Sequence, residues 1–213
     1  MSRAHALELV LGPEDDAWVR ARWAALEDAG IASLARHRGA THRPHLTVAS
    51  SPRPPEQRVL ALASEQWGPL LPLQLDVTGL VLLGGRRLTI ADLVSAPLSA
   101  RRAQAELTWQ WEGADERPWV PHVSLATRLT TESAGMALAA LSVASREHED
   151  GPGGRGDGVS GRGAGVRVRE RGAGDGVSGR GAGSGAGRSL TVEALRWWDP
   201  EAESVSDVAV SAA

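Results

Sequence analysis

Two six-residue segments constrain this chain more than anything else in it. Pro44-His45-Leu46-Thr47-Val48-Ala49 and Pro121-His122-Val123-Ser124-Leu125-Ala126 both fit Pro-His-φ-[Ser/Thr]-φ-Ala, where φ is aliphatic. Alternation of polar and apolar residues reads as a β-strand, because successive side chains leave opposite faces. His45 and Thr47 then share one face, with Leu46 and Val48 on the other, and His122 and Ser124 repeat the arrangement. Each strand would anchor its apolar face in a core and present one imidazole and one hydroxyl outward. From this chain's own composition, a given histidine should carry the whole pattern on the order of once in ten thousand times. Two of the six histidines carry it, and His5, His37, His42 and His148 do not. A matched pair at that rarity reads as one site assembled from two strands.

The residue types define a chemistry. An unperturbed imidazole titrates near pH 6.5, so one histidine can be neutral while another is protonated near neutrality. General acid–base catalysis needs that division. His45 and His122 are the candidate catalytic pair. The hydroxyls of Thr47 and Ser124 can donate to non-bridging phosphate oxygens as charge builds on them. Such a set suits phosphodiester chemistry without a metal. A zinc site needs three or four ligands, and each of these strands supplies one good one, so neither metal nor cofactor is expected. Arg43, two residues before His45, is a candidate phosphate contact. Trp119, three before His122, is a candidate base-stacking residue or a packing tryptophan. His37 and His42 lie in a basic loop, Arg36–Arg43, that reads as solvent-exposed.

Paired H-x-[S/T]-x motifs of this kind resemble those of the two-histidine (2H) phosphoesterase superfamily, which includes LigT-like 2'-5' RNA ligases and cyclic nucleotide phosphodiesterases. Gly30–Leu34 leading into Arg43–Val48 looks like the first half of such a protein. The second motif follows 77 residues after the first, and Leu190–Pro200 is similar to a closing strand. The resemblance implies an α+β fold of two pseudo-symmetric lobes, with antiparallel sheets flanking a central groove, helices outside, and one motif from each lobe. It implies a substrate that is a nucleotide or RNA end bearing a cyclic phosphate, with hydrolysis or reverse ligation as the reaction. A catalytically idle nucleotide- or RNA-binding domain on the same scaffold is the alternative. Intact histidines and hydroxyls in both motifs favour the enzyme.

The rest of the chain fits two similar halves. Ala4–Leu11 alternates as a first strand. Pro13 suits a helix's first turn, and Glu14, Asp15 and Asp16 sit at the favourable end of its dipole. Helices are expected to Gly30, over Glu56–Trp67, Ala100–Trp111 and Thr131–Val143. Further strands are expected over Leu71–Thr78, Gly79–Gly84 and Arg87–Val94. Residues 1–150 and 189–200 thus form one bilobal domain, and 201–213 reads as a flexible C-terminal tail.

Residues 151–188 are different. They contain 16 glycines, and GDGVSGRGAG recurs identically at Gly156–Gly165 and Gly174–Gly183. Such a stretch cannot bury enough apolar surface to offset its ordering entropy and is expected to be a disordered insertion. Loop closure entropy grows only logarithmically with length. Deleting 151–188 is therefore expected to leave thermal stability and turnover of small substrates nearly unchanged. A collapse of either on deletion would show that the segment packs.

Charge and composition bound the partners. The net charge of −3 conceals a split, with +4 in residues 151–188 and −7 in the remainder. An acidic folded part argues against extended nucleic-acid binding, which needs many phosphate contacts, and leaves room for a small anion in a cleft. There is no cysteine, so no disulfide framework. No apolar stretch approaches the ~20 residues that span a bilayer, and the N-terminus lacks a signal-peptide pattern. A cytoplasmic monomer without membrane contact is the expectation. Lys, Asn, Phe and Tyr are absent, so core volume must come from Leu, Val, Ala and Trp.

Overall fold

A computed structural model describes residues 4–149 and 187–211. The expected insertion lies outside the described residues, apart from its last two positions. The strands are β1 (His5–Leu11), β2 (His45–Ser51), β3 (Leu73–Gly84), β4 (Leu88–Ser95), β5 (His122–Leu129), β6 (Ser189–Asp199) and β7 (Ser204–Val210). The helices are α1 (Pro13–Asp28), α2 (Gln57–Trp67), α3 (Leu98–Gln110) and α4 (Thr131–Glu149). The fold is α+β, as expected.

All seven strands join one antiparallel sheet in the order β2-β1-β6-β3-β4-β5, with β7 also paired to β6. The halves meet along a short seam where Leu73–Asp76 of β3 pair with Ser189–Val192 of β6. On either side the order is equivalent: β6-β1-β2 mirrors β3-β4-β5. Each half threads strand–helix–strand–helix, β1-α1-β2-α2 in the first and β4-α3-β5-α4 in the second. The two motif strands, β2 and β5, are thus the two ends of this path, and they approach each other in space.

The helices cross between halves. α1 packs against α4 and β5, and α3 packs against α2 and β2. Val19, Trp23 and Leu26 supply α1's buried face. Trp23 donates its indole N–H to the Ser124 carbonyl on β5 at 3.1 Å, and Gln104 of α3 donates to the Val48 carbonyl on β2 at 3.3 Å. Arg22, also on α1, spans to β4 with a two-pronged ion pair. Its Nε and Nη2 lie 3.0 and 2.8 Å from the two oxygens of Asp92, which is fully buried. Each motif strand is therefore held from outside by a helix of the other half.

At the start of α1, Pro13 occupies the first turn, as expected. Asp15 does more than meet a helix dipole. One carboxylate oxygen accepts the Thr191 backbone N–H at 2.7 Å and the other accepts Arg188 at 2.6 Å, which fixes where β6 begins. The core is drawn mainly from Leu, Val, Ala and Trp as composition requires, joined by Ile31 and Ile90, and Trp23 and Trp67 are its largest fully buried side chains.

Two differences from the sequence expectation have simple causes. The expected strands at 71–78 and 79–84 are one strand, β3, which pairs with β4 on both sides of a register shift at Val77/Gly79. The glycine marks an irregularity within the strand. Part of the segment read as a flexible tail, residues 204–210, forms β7, paired to β6 from Ala194↔Val210 to Asp199↔Ser204. A turn at residues 200–203 reverses the chain, and β6 carries a backbone edge beyond its seam with β3 that β7 occupies.

Candidate active site

The motif strands form as their alternation predicts. Leu46 and Val48 on β2 are 0% and 2% exposed, and Val123 and Leu125 on β5 are fully buried, while His45, Thr47, His122 and Ser124 are half-exposed. The alternation breaks at the motif alanine. Ala49 and Ala126 are buried directly after a buried aliphatic residue. On β2, Thr47 pairs with Glu8 and Ala49 with Leu7, which leaves Val48 as the extra residue of a bulge. On β5, Ser124 pairs with Ala91 and Ala126 with Ile90, which leaves Leu125 as the extra residue. Both motifs therefore carry a bulge at the same step. A bulge bends a strand and re-aims the side chains beside it, and here it directly follows the histidine–hydroxyl pair.

The two imidazoles are held identically. His45 Nδ1 lies 2.8 Å from the Arg43 carbonyl, and His122 Nδ1 lies 2.7 Å from the Val120 carbonyl. A carbonyl only accepts, so each Nδ1 carries the proton and each Nε2 is left for other partners. The hydroxyls of Thr47 and Ser124 have no hydrogen-bond partner among the described residues.

Two cavities flank these strands. One, of about 470 Å³, is lined by Thr47 of β2 and by His122, Trp119, Arg117 and Asp115 from β5 and the loop before it. It brings Thr47 of the first motif together with His122 of the second. Trp119 bridges the strands, donating its indole N–H to the Thr47 carbonyl at 2.9 Å, and packs partly buried against the core. The second cavity, of about 520 Å³, is lined by His45 with Glu8, Arg196, His42, Trp198 and Glu203 among others. The two motif histidines therefore line different cavities, and Ser124 lines neither of these two.

Arg43 is tied into the fold by its side chain and its backbone. Its guanidinium is held by Asp16 at 3.3 Å and by the Leu11 carbonyl at 3.1 Å, and its own carbonyl orients His45. His37 is exposed, as expected of the basic loop. His42 is not: it is half-buried and stacks on Trp23, with ring centroids 5.2 Å apart and planes 17° apart. The loop closes onto α1 because Trp23 offers a flat apolar face. Of the adjacent tryptophans, Trp198 lines the His45 cavity while Trp197 packs on the core, as opposite faces of a strand require.

Burial pushes the His42 imidazole down to about 4, and the neighbouring His37 and His45 push it the same way. The folded state thus resists a proton that the unfolded chain accepts below about pH 6.5. The resulting stability is fully present above that pH and is lost as pH falls toward 4. His42→Phe keeps the stacking and removes the titration. Its unfolding free energy should vary less than the wild type's between pH 6.5 and 4 in urea titrations; parallel profiles would refute this.

Residues the sequence reading passed over are Glu8 and Arg196. Glu8 is 6% exposed and pairs across the sheet with Arg196, also 6% exposed. Arg196 Nε and Nη2 lie 3.0 and 2.9 Å from Glu8 Oε2, while Glu8 Oε1 lies 3.5 Å from His45 Nε2. A signal existed. Glu8 is the only acidic residue of His5-Ala6-Leu7-Glu8-Leu9-Val10-Leu11, and every residue of that strand is buried. A buried carboxylate needs a partner.

An open antiparallel sheet that carries a histidine–hydroxyl motif on each of two facing strands defines a two-lobed, two-histidine architecture. The model of the 2'-5' RNA ligase superfamily matches residues 13–152. The chain belongs to that superfamily. No curated protein matches it. Among the described residues, no helix is long and apolar enough to cross a membrane, and no three His, Asp or Glu side chains are grouped to hold a metal ion.

Proposed function

We propose that this protein is a phosphoesterase that opens a 2',3'-cyclic phosphate on a nucleotide or RNA end by two-histidine acid–base catalysis, and that the same ring opening with a 5'-hydroxyl in place of water forms a 2'-5' linkage. The observation that carries the reading is the matched tethering of the two imidazoles. Both Nδ1 atoms are engaged by a carbonyl two residues upstream, so both rings offer Nε2. Membership of the superfamily supports the same reaction class.

In hydrolysis, one neutral Nε2 takes a proton from water as the water oxygen bonds to phosphorus. The bond from phosphorus to one ribose oxygen breaks, and the protonated Nε2 of the other ring delivers a proton to that oxygen. In ligation a 5'-hydroxyl replaces water, and it is the 3'-oxygen that departs. Thr47 and Ser124 hydroxyls, unpartnered among the described residues, are suited to donate to the non-bridging oxygens as charge builds there. One imidazole accepts the proton of the attacking water and the other supplies the proton of the departing oxygen, so the mechanism needs no cofactor. Cavities of about 470 and 520 Å³ suit a nucleotide-sized ligand.

The direct test is incubation of the full chain with 2',3'-cyclic nucleotides and with RNA ending in a cyclic phosphate, with and without chelator. A ring-opened monophosphate formed equally in both conditions is expected. Binding without turnover would favour the idle binding domain instead.

A further inference from the structure

The two halves differ in the residue paired opposite the motif hydroxyl, and the difference falls on the proton chemistry. Thr47 pairs across β2–β1 with Glu8, and Ser124 pairs across β5–β4 with Ala91. Val10 and Leu93 likewise stand opposite His45 and His122. Glu8 and Ala91 thus occupy equivalent places beside the two motifs. The first half places a buried carboxylate there and the second a methyl group. His45 Nε2 has Glu8 Oε1 at 3.5 Å, and among the described residues no carboxylate comes within 4 Å of His122.

His45 Nδ1 already carries a proton toward the Arg43 carbonyl. A neutral ring would then turn an Nε2 lone pair toward a carboxylate oxygen, two acceptors facing each other. Only the doubly protonated ring turns N–H toward Glu8. An opposite charge within about 4–6 Å favours the charged form of a titratable group. We propose that Glu8 is a positioning residue that makes His45 the proton donor in ring opening and leaves His122, with no such partner, as the base. This rests on the two-histidine reading above and adds an assignment of roles that the matched motifs themselves do not contain. Glu8 and Arg196 both lie outside the residues matched by the family model.

The other charges around His45 are compatible with this assignment. Arg196, from β6, is held on Glu8 Oε2 through two nitrogens, so the two oxygens are divided between two cations. Arg196–Glu8–His45 then carries one net positive charge when His45 is protonated, which suits a phosphate ligand. His42, from the preceding loop, stays neutral near pH 7 because burial holds it down to about 4. Arg43's guanidinium is turned to Asp16. His37 lines the same cavity from the exposed loop, and Glu203 lines it from the β6–β7 turn, a second carboxylate of the same sign as Glu8.

The decisive variant is Glu8→Gln, which keeps an acceptor for Arg196 and removes the charge. Two measurements on the full chain read it: NMR titration of the histidine ring C–H signals, and the pH dependence of kcat on a 2',3'-cyclic nucleotide. The His45 titration should move to lower pH while that of His122 stays. The alkaline limb of the rate profile should move with it, so that turnover falls roughly tenfold on the alkaline side for a one-unit displacement, with the acidic limb unchanged. If Gln at this buried site prevents folding, Glu8→Asp should move the same curves, because it withdraws the carboxylate from Nε2. A folded Glu8→Gln in which neither curve moves, or in which His122 moves instead, would overturn the proposal. If the wild type hydrolyses no cyclic phosphate, the functional reading fails while the NMR titration still decides the role of Glu8.

Discussion

Replacing either His45 or His122 with alanine is expected to lower turnover of a 2',3'-cyclic phosphate by roughly 10²–10⁴-fold, the usual worth of a positioned proton-transfer group. The double variant should be only slightly worse than either single one. Once one half of a concerted proton transfer is gone, the other has little left to accelerate, and groups that act as a unit are not additive. Thr47→Ala and Ser124→Ala should each cost about 1.5–3 kcal/mol of transition-state stabilisation, the value of one hydrogen bond to a charged group. The four side chains are half-exposed on strands whose other face is the core, so these truncations should leave the far-UV dichroism unchanged. The rate should be bell-shaped in pH and indifferent to chelator. Activity that survives loss of either histidine, or that chelator abolishes and a metal restores, would rule out the two-histidine mechanism.

Arg22→Met should destabilise the fold by about 3–5 kcal/mol, because it strands Asp92, a fully buried carboxylate, without its cation. The pair joins α1 to β4 and so ties one half to the other. Arg22→Met with Asp92→Leu should recover much of the loss, since replacing both members of a buried pair by apolar groups is often neutral. Urea unfolding of the four chains of this cycle measures the coupling. A loss below about 1 kcal/mol in the single variant would mean that the site relaxes or admits water. The pH dependence has a definite sign. Burial pushes the Asp92 carboxyl up to about 6, with Arg22 pulling the other way. The fold therefore holds this proton more tightly than the unfolded chain does. The associated stability is present below the ordinary carboxyl range near 4 and is lost as pH rises through about 6. Without Arg22 the upward push is unopposed, so Arg22→Met should lose less at pH 4 than at pH 7.

How much of the site could be read from sequence depends on the range of the interaction involved. The motif strands were legible because period-two alternation is local. Leu46, Val48, Val123 and Leu125 enter the core and His45, Thr47, His122 and Ser124 do not. Near-identity of two segments 77 residues apart was enough to expect two lobes of an α+β fold and four site residues. Even here alternation stops short of the motif alanines. Ala49 and Ala126 are buried because a bulge shifts each strand by one residue, and a bulge is a property of a strand pair, not of a strand.

What the tertiary structure alone decided lies in pairings distant along the chain. Helices α1 and α3 each brace the other half's motif strand, which no helical periodicity specifies. His42 leaves solvent because Trp23 of α1 offers it a face 19 residues away. Residues 204–210 become a strand because β6 has an open edge beside them. Glu8 and Arg196, 188 residues apart, meet only when the closing strand lies beside the first. The sequence by itself determined which residue types carry the chemistry and that two copies of them exist. The tertiary structure decided which copy sits beside a carboxylate. Charge interactions act through space, and the neighbours that set them are chosen by strand order and register.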